Sequence, residues 1–454
     1  MRKYFGTDGI RRIANTELSP ELVYKVAKAG AYVLSKHTDH APTILIGRDT
    51  RISGTLIESA MVAGFLSYGA NVKLLGVIPT PAVAYLTRKL KADAGVVISA
   101  SHNTYEFNGI KYFSNKGTKI PDSLEEEIEE VMESGKLDEL TAVNDKIGVS
   151  EYRLDLIDEY VYFFRKNFDD NIEKYNRKDF VVGIDTANGA TYSVAEKVFK
   201  ALGINYKIIN NQPDGININE NCGSTHLDGL KKFVLENKLN LGIAYDGDGD
   251  RCLAIDEKGN EIDGDKLLAI ISANLRKKGK LNKDTIVATV MSNLGLNKYA
   301  RDNWLELLQT KVGDRYVLEE MLKDGFNLGG EQSGHIILLD YNPTGDGILT
   351  SLMLIQAILE EDKKASELNE IVKLYPQVLI NAKVNADKKY DYDKNEEIKQ
   401  AIEKLEKEFA GNGRVLIRPS GTEPLVRVMI EGEEQEYITK KAKEIADLIE
   451  KNLK

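Results

Sequence analysis

Cysteine is scarce in this chain of 454 residues, and its scarcity argues against two classes at once. The two present, Cys222 and Cys252, cannot build a disulfide framework. No Cys/His cluster has zinc-ligand spacing either, so a reducing cytoplasm is the expected setting and zinc chemistry is disfavoured. Long apolar runs are missing too: nothing approaches the ~18 consecutive apolar residues of a membrane span, and residues 1–8 lack the apolar core of a signal peptide. Excess positive charge is absent, with 61 Lys and Arg against 71 Asp and Glu, a net charge of -10. A nucleic-acid binder needs a basic surface, so that class is disfavoured, whereas small phosphates require only a few placed arginines.

What is present is ordinary globular composition, 42% apolar and 29% charged, in a chain whose length predicts about three domains, with two or four also reasonable. Patterning divides it into four parts. Over residues 1–145, strand-like runs (43–47, 71–77, 94–99) alternate with helical periodicity (20–34, 55–68), the mark of an α/β unit. A charged segment, 122–145, is expected to separate this unit from the next, 146–255, with strands at 180–185, 206–209 and 241–245 around a helix at 192–202. A third α/β unit spans 256–374, with helices at 265–277 and 313–323 and a strand at 285–291. From 375 to 454 the pattern becomes strands plus an amphipathic helix, 435–453, an α+β domain. A weak repeat is visible: 44–49, 181–185 and 286–290 each put a strand before a polar turn and a helix.

Four loops carry chemistry. Ser99-Ala100-Ser101-His102-Asn103 ends an apolar strand, where α/β proteins place reactive groups; taken alone it reads more simply as an ordinary turn outside the cores. A serine hydrolase fits poorly, because no Gly-x-Ser-x-Gly elbow is present. Asp246-Gly247-Asp248-Gly249-Asp250-Arg251 alternates carboxylates with glycines, so three oxygens can converge on one hard cation. A simple acidic hairpin is the bland reading, and a calcium hand is the main rival, with Glu257 at the twelfth place. It fails where Arg251 stands at the sixth place instead of glycine, and its flanks read as strands. Magnesium is favoured, because so few protein ligands leave room for a phosphoryl oxygen. Gly330-Glu331-Gln332-Ser333-Gly334-His335 offers mixed donors and acceptors suited to a sugar, or is a surface turn. Arg418-Pro419-Ser420-Gly421-Thr422-Glu423, with Arg427 after it, is a candidate phosphate cradle or a turn with an exposed arginine.

These four loops, in this order and together with Phe5-Gly6-Thr7-Asp8-Gly9-Ile10-Arg11, resemble the α-D-phosphohexomutase family over the whole chain. Gly330 to His335, Val312-Gly313-Asp314-Arg315 and Ser420 to Pro424 look most like its phosphoglucosamine mutase branch. The resemblance implies three related α/β domains and a C-terminal α+β phosphate-binding domain around a central cleft. It implies Ser101 as the residue carrying the phosphoryl group, and Asp246, Asp248 and Asp250 holding Mg2+ together with an oxygen of that phosphoserine. It further implies that Glu331 and Ser333 select sugar hydroxyls, while Arg418, Ser420, Gly421, Thr422 and Arg427 grip the distant phosphate. Arg11, His102, Lys111, Arg251 and His335 are candidates for charge stabilisation or proton transfer, Arg251 also for substrate binding. One departure is Thr104, where the family commonly has proline.

The activity implied is interconversion of glucosamine 6-phosphate and glucosamine 1-phosphate through glucosamine 1,6-bisphosphate, which turns around between two transfers. The partner is a small phosphosugar, with no nucleic acid or membrane. The same chemistry on glucose or mannose phosphates is the nearest alternative. A phosphatase lacks its Asp-x-Asp-x-Thr nucleophile, since Asp250 occupies the last place, and a non-catalytic sugar-phosphate or calcium binder is the third class.

Overall fold

A computed structural model describes residues 3–6, 8–168, 175, 177–420 and 423–454. Met1–Met291 with Leu305–Ile371 form one compact unit, and Ser292–Trp304 with Val372–Lys454 form a second.

The first unit holds three sheets. One contains β1 (Ile10–Ile13), β2 (Thr43–Arg48), β3 (Asn71–Val77), β4 (Ala94–Ile98), β5 (Phe107–Ser114) and β6 (Ser150–Tyr152), in the order β1-β5-β4-β2-β3-β6. The next contains β7 (Val181–Asp185), β8 (Asn205–Ile209), β9 (Leu241–Tyr245), β10 (Cys252–Asp256) and β11 (Glu261–Ile262), in the order β11-β10-β9-β7-β8. The third contains β12 (Thr285–Thr289), β13 (Glu306–Thr310), β14 (Leu328–Gly330) and β15 (Ile336–Leu338), in the order β13-β12-β14-β15.

The weak sequence repeat has a topological counterpart. Strands β2, β7 and β12 each lie between two parallel neighbours. In every sheet one neighbour then pairs antiparallel with the strand that follows it: β4 with β5, β9 with β10, β14 with β15. Of the apolar runs seen in the sequence, β4, β9 and β12 are buried throughout, as strands covered on both faces are, whereas β3 and β8 are partly exposed. The first sheet takes in Ser150–Tyr152, past residue 145, and the second takes in Glu261–Ile262, past residue 255, because both segments complete edge pairings.

Segment 122–145 is not the separator its charge suggests. Asp122–Glu133 is a helix whose Ile128 and Met132 enter the first core. Its Glu129 carboxylate accepts the backbone N–H groups of Lys3, Tyr4 and Phe5 at 2.7 to 2.8 Å, anchoring the N-terminal segment. Local chemistry sets other helix ends: Ser19 caps Pro20–Ser35 by accepting the Leu22 N–H, and Gly69, at φ 102°, ends Gly54–Tyr68.

The second unit is built on β16 (Gln377–Lys383), β17 (Gly413–Pro419) and β18 (Leu425–Gly432), with β18 antiparallel between the other two. The helix Gln435–Leu453 packs here, burying Ile438, Ala442, Ile445, Ala446, Ile449 and Leu453, the three-and-four spacing of one helical face. No helix among the described residues is long and apolar enough to cross a membrane.

Candidate active site

The acidic loop is the tip of the β9–β10 hairpin, closed by the Tyr245–Cys252 pair. Its strand flanks remove the calcium-hand alternative, and Glu257 is committed elsewhere, accepting the Ser366 N–H at 3.0 Å. Asp246, Asp248 and Asp250 are all buried, and one oxygen from each lies within 4.8 Å of the others. Burial and repulsion from Asp250 and Asp248 push the Asp246 carboxyl well up. Asp250 goes the other way: burial opposes ionisation, but the Lys111 ammonium and a hydrogen bond from His335 outweigh it.

This donor set fits a small hard cation. Oδ1 of Asp248 and Oδ1 of Asp250 are buried and accept no hydrogen bond among the described residues. Carboxylate oxygens left that way are costly unless a cation takes them.

Ser101 meets this cluster directly. Its hydroxyl donates to Asp246 Oδ2 at 2.7 Å across 145 positions of sequence. The serine is 1% exposed, so Ser101 itself is buried although its loop becomes exposed at Thr104 to Glu106. Its φ of 52° is left-handed, a conformation that costs a non-glycine residue roughly 1–2 kcal/mol and persists only when neighbours hold it. The Ser101 N–H donates to Ser99 Oγ at 2.9 Å. Arg51 and Asn219, which sequence reasoning missed, donate to the Ser101 carbonyl at 3.2 and 2.9 Å. Arg51 pairs with Asp49, which also receives the Ser99 hydroxyl. An acid–base pair just after a strand end was the available signal for Arg51; nothing in the local sequence marks Asn219.

Lys111, on β5, is 2% exposed. Its ammonium lies 2.9 Å from Asp248, 3.1 Å from Asp8 and 3.7 Å from Asp250. Burial alone lowers a lysine pKa, but these three carboxylates raise this one well above the usual range, so it is a fixed cation. His102 is the opposite case. Burial and the nearby Arg251 and Arg11 push it down to about 4, and its Nδ1 stands 3.1 Å from Arg251 Nη1, so it is a neutral acceptor. Arg11 donates to Asp8 at 3.0 Å and to the Asn103 side chain at 3.3 Å.

His335 sits after the tight turn of Glu331 to Gly334, with Nδ1 3.6 Å from Asp250 and Nε2 3.4 Å from Asp314. Burial lowers its pKa and the two carboxylates raise it, with a net upward direction. Against that, the Gly345 N–H donates to Nε2 at 3.0 Å, which requires a lone pair there. That bond decides for the neutral ring, its proton on Nδ1 facing Asp250. A Cβ on Gly345 would stand 2.5 Å from the imidazole, so this approach needs glycine.

A cavity of about 560 Å3 opens beside these groups, with Asp8, Arg11, Asp250, Arg251, Glu331 and His335 on its wall. Glu331 accepts the Gly313 N–H at 3.2 Å, and burial raises its carboxyl pKa. Ser333 is not on this wall; its hydroxyl is buried without a partner among the described residues. Lys119, also missed, bridges Asp8 and Asp314 from the cavity wall.

In the second unit, Arg418 of β17 and Arg427 of β18 are direct cross-strand partners. Like charges so placed repel, and burial with the Arg427 charge lowers the Arg418 pKa. Ser420 lies next to them, its hydroxyl accepting the Glu423 N–H at 3.2 Å and its carbonyl accepting the Lys389 ammonium at 2.7 Å. Three cations around a turn suit an anion. Gly421 and Thr422 lie outside the described residues.

Four successive segments match the phosphoglucomutase/phosphomannomutase family: residues 2–139 its alpha/beta/alpha domain I, 158–259 domain II, 263–375 domain III and 379–448 the C-terminal domain. The chain is 53% identical over 453 residues to the phosphoglucosamine mutase of Ruminiclostridium cellulolyticum, covering all of both chains. It is 54% identical over 455 residues to that of Clostridium botulinum, again over both full lengths. Among solved structures, a phosphoglucomutase/phosphomannomutase family protein from Burkholderia thailandensis superimposes with a TM-score of 0.79 at 21% identity, covering 99% of this chain and 98% of that one. An N-acetylglucosamine-phosphate mutase in its substrate complex gives 0.69 at 18% identity, covering 99% and 96%. The chain belongs to the phosphoglucomutase/phosphomannomutase family, the α-D-phosphohexomutases.

Proposed function

We propose that this chain is a phosphoglucosamine mutase that interconverts glucosamine 6-phosphate and glucosamine 1-phosphate through a phosphorylated Ser101. The observation that carries the chemistry is the Ser101 hydroxyl held at 2.7 Å on a buried cluster of three carboxylates. The sugar is taken from the full-length likeness to phosphoglucosamine mutases.

A serine hydroxyl is a weak nucleophile, so the working enzyme begins as phosphoserine. The sugar hydroxyl attacks phosphorus and gives its proton to a carboxylate on the cavity wall, Glu331; the bond from phosphorus to Ser101 Oγ breaks, Oγ takes up a proton, and glucosamine 1,6-bisphosphate forms. After the intermediate turns around, Ser101 Oγ attacks the other phosphate, the bond from that phosphorus to the sugar oxygen breaks, the sugar oxygen is protonated and leaves as the monophosphate, and Ser101 recovers its phosphoryl group. Asp246 Oδ2 is the carboxylate within reach of a proton on Ser101 Oγ in both directions. Lys111 supplies fixed positive charge, as do Arg11 and Arg251 on the cavity wall. His102 and His335 orient neighbours: one accepts from Arg251, the other presents Nδ1–H to Asp250. Asp246, Asp248 and Asp250 would hold Mg2+, which when bound offsets charge on the migrating phosphoryl group. Glu331 would take sugar hydroxyls, and Arg418, Ser420 and Arg427 the phosphate that is not reacting. We further propose four domains, with junctions after the edge strands Ser150–Tyr152 and Glu261–Ile262 and near residue 374.

The test is a kinetic comparison of glucosamine, glucose and mannose 6-phosphates with magnesium, together with intact-mass detection of phosphate on Ser101. The highest kcat/KM is expected for glucosamine 6-phosphate. A tenfold preference for glucose or mannose would reassign the sugar; dominant release of inorganic phosphate would replace the mutase with a phosphatase.

A further inference from the structure

Ser101 has a left-handed backbone that its own sequence does not favour, and two buried side chains grip it from different parts of the fold. Arg51, from the turn after β2, donates through Nη2 to the carbonyls of Ser101 and Asn103. Asn219, from the connection between β8 and β9, donates through Nδ2 to the same two carbonyls, at 2.9 and 2.8 Å. Each carbonyl on either side of the turn therefore takes two donors. Asn219 also touches the acidic loop, since a Cβ on Gly247 would stand 2.7 Å from its Nδ2. It is a spacer with the serine loop on one side and the carboxylate loop on the other.

We infer that Arg51 and Asn219 are positioning residues that hold Ser101 in its strained conformation and set the distance between its hydroxyl and the Asp246 carboxylate. This rests on the phosphoserine reading above. Neither residue lines the substrate cavity, and both are buried, Arg51 to 1% and Asn219 to 2% exposure. Arg51 is balanced in charge by Asp49, and the Asn219 backbone, at φ 58°, donates to the Ala187 carbonyl. Asn219 Oδ1 accepts no hydrogen bond among the described residues, so its Nδ2 makes the side chain's hydrogen bonds, all to the serine loop.

Asn219→Gly is the deciding variant, because glycine tolerates the positive φ while removing the whole side chain that carries the amide. Arg51→Lys is its companion: it keeps the charge beside Asp49 but lacks the fork that spans two carbonyls. Glucosamine 6-phosphate kinetics are measured for wild type and both variants, with thermal midpoints and with Ser101 phosphate occupancy by intact mass after incubation with glucose 1,6-bisphosphate. Expected is a fall in kcat of about 10–100-fold per folded molecule, with KM changed less than about threefold, since misplacement by ~1 Å has that scale. A purely structural role would lower the midpoint and the folded fraction while leaving kcat per folded molecule intact, and that result overturns the inference. Asn219→Gly decides alone should Arg51→Lys fail to fold. Wild type that neither carries phosphate on Ser101 nor interconverts the sugars takes down both readings; working wild type with unimpaired Asn219→Gly takes down only this one.

Discussion

Gly247→Ala tests the contact between the serine loop and the acidic loop with a single methyl group. An added Cβ would lie 2.6 Å from the Ser101 carbonyl oxygen, 2.7 Å from Asn219 Nδ2 and 2.9 Å from Ile218 Cδ1. Non-bonded heavy atoms settle at ~3.5–4.0 Å. The first two obstacles belong to backbone and a tethered amide, so the loops must part by roughly 0.8–1 Å, not swing a free side chain aside. The 2.7 Å bond from Ser101 to Asp246 then stretches beyond the ~3.0 Å limit for paired hydroxyls. Overpacking of this size costs about 1–3 kcal/mol of stability, whereas a reacting group displaced by ~1 Å costs about 10²-fold in rate. The expected result is a folded protein whose thermal midpoint falls by a few degrees and whose kcat for glucosamine 6-phosphate falls about 100-fold. Gly229→Ala is the control. It lies in the helix Asp228–Asn237 with nothing within 4 Å of an added Cβ. It should keep full activity and gain up to ~1 kcal/mol from helix propensity. Wild-type kcat in Gly247→Ala would refute the claim that this contact sets the reacting geometry.

Other substitutions probe separate parts of the reading. Ser101→Ala removes one buried hydrogen bond, worth about 1 kcal/mol, so it should fold normally while losing mutase turnover; full turnover would end the phosphoserine assignment. Arg418→Ala is expected to raise KM for the sugar phosphate by ~10–100-fold with a smaller effect on kcat, the scale of a charge-assisted hydrogen bond; an unchanged KM would remove Arg418 from the phosphate site. Chelation with EDTA should abolish turnover and added Mg2+ restore it, with persistent activity after exhaustive chelation counting against a metal at Asp246, Asp248 and Asp250. Asp346 tests pH dependence. Burial raises its carboxyl to about 6 despite hydrogen bonds from Leu349 N–H, Tyr160 and Asn342, against about 3.9 unfolded. Its folded pKa being the higher, its contribution is most favourable below pH 4 and is lost as pH rises through about 6, reaching roughly 3 kcal/mol at pH 8. Asp346→Asn cannot ionise, so its midpoint should improve relative to wild type between pH 5 and pH 8; an equal gap at both would show that the carboxyl is not buried as a neutral group.

Much of this protein is readable along the chain, because strand and helix periodicity and turn chemistry are local. The strands at 71–77 and 241–245 and the final helix Gln435–Leu453 are where apolar patterning puts them. The acidic loop declares itself by composition, whereas the serine loop stands out only beside the other loops. Charge misleads at 122–145, where a helix with an acidic surface still buries Ile128 and Met132: net composition hides one apolar stripe. The roles of the histidines also needed three dimensions. Only packing sets Arg251 against His102 and Gly345 against His335.

The residues that place Ser101 were out of reach of any local pattern. Asn219 binds a carbonyl 118 positions away, and Asp246 a hydroxyl 145 positions away. The sequence by itself determined which loops hold reactive chemistry, since residue type and spacing decide what a loop can donate, accept or bind. Tertiary structure decided how those loops meet, because Ser101 becomes a partner of Asp246 only when two sheets pack and Gly247, having no Cβ, lets their tips touch.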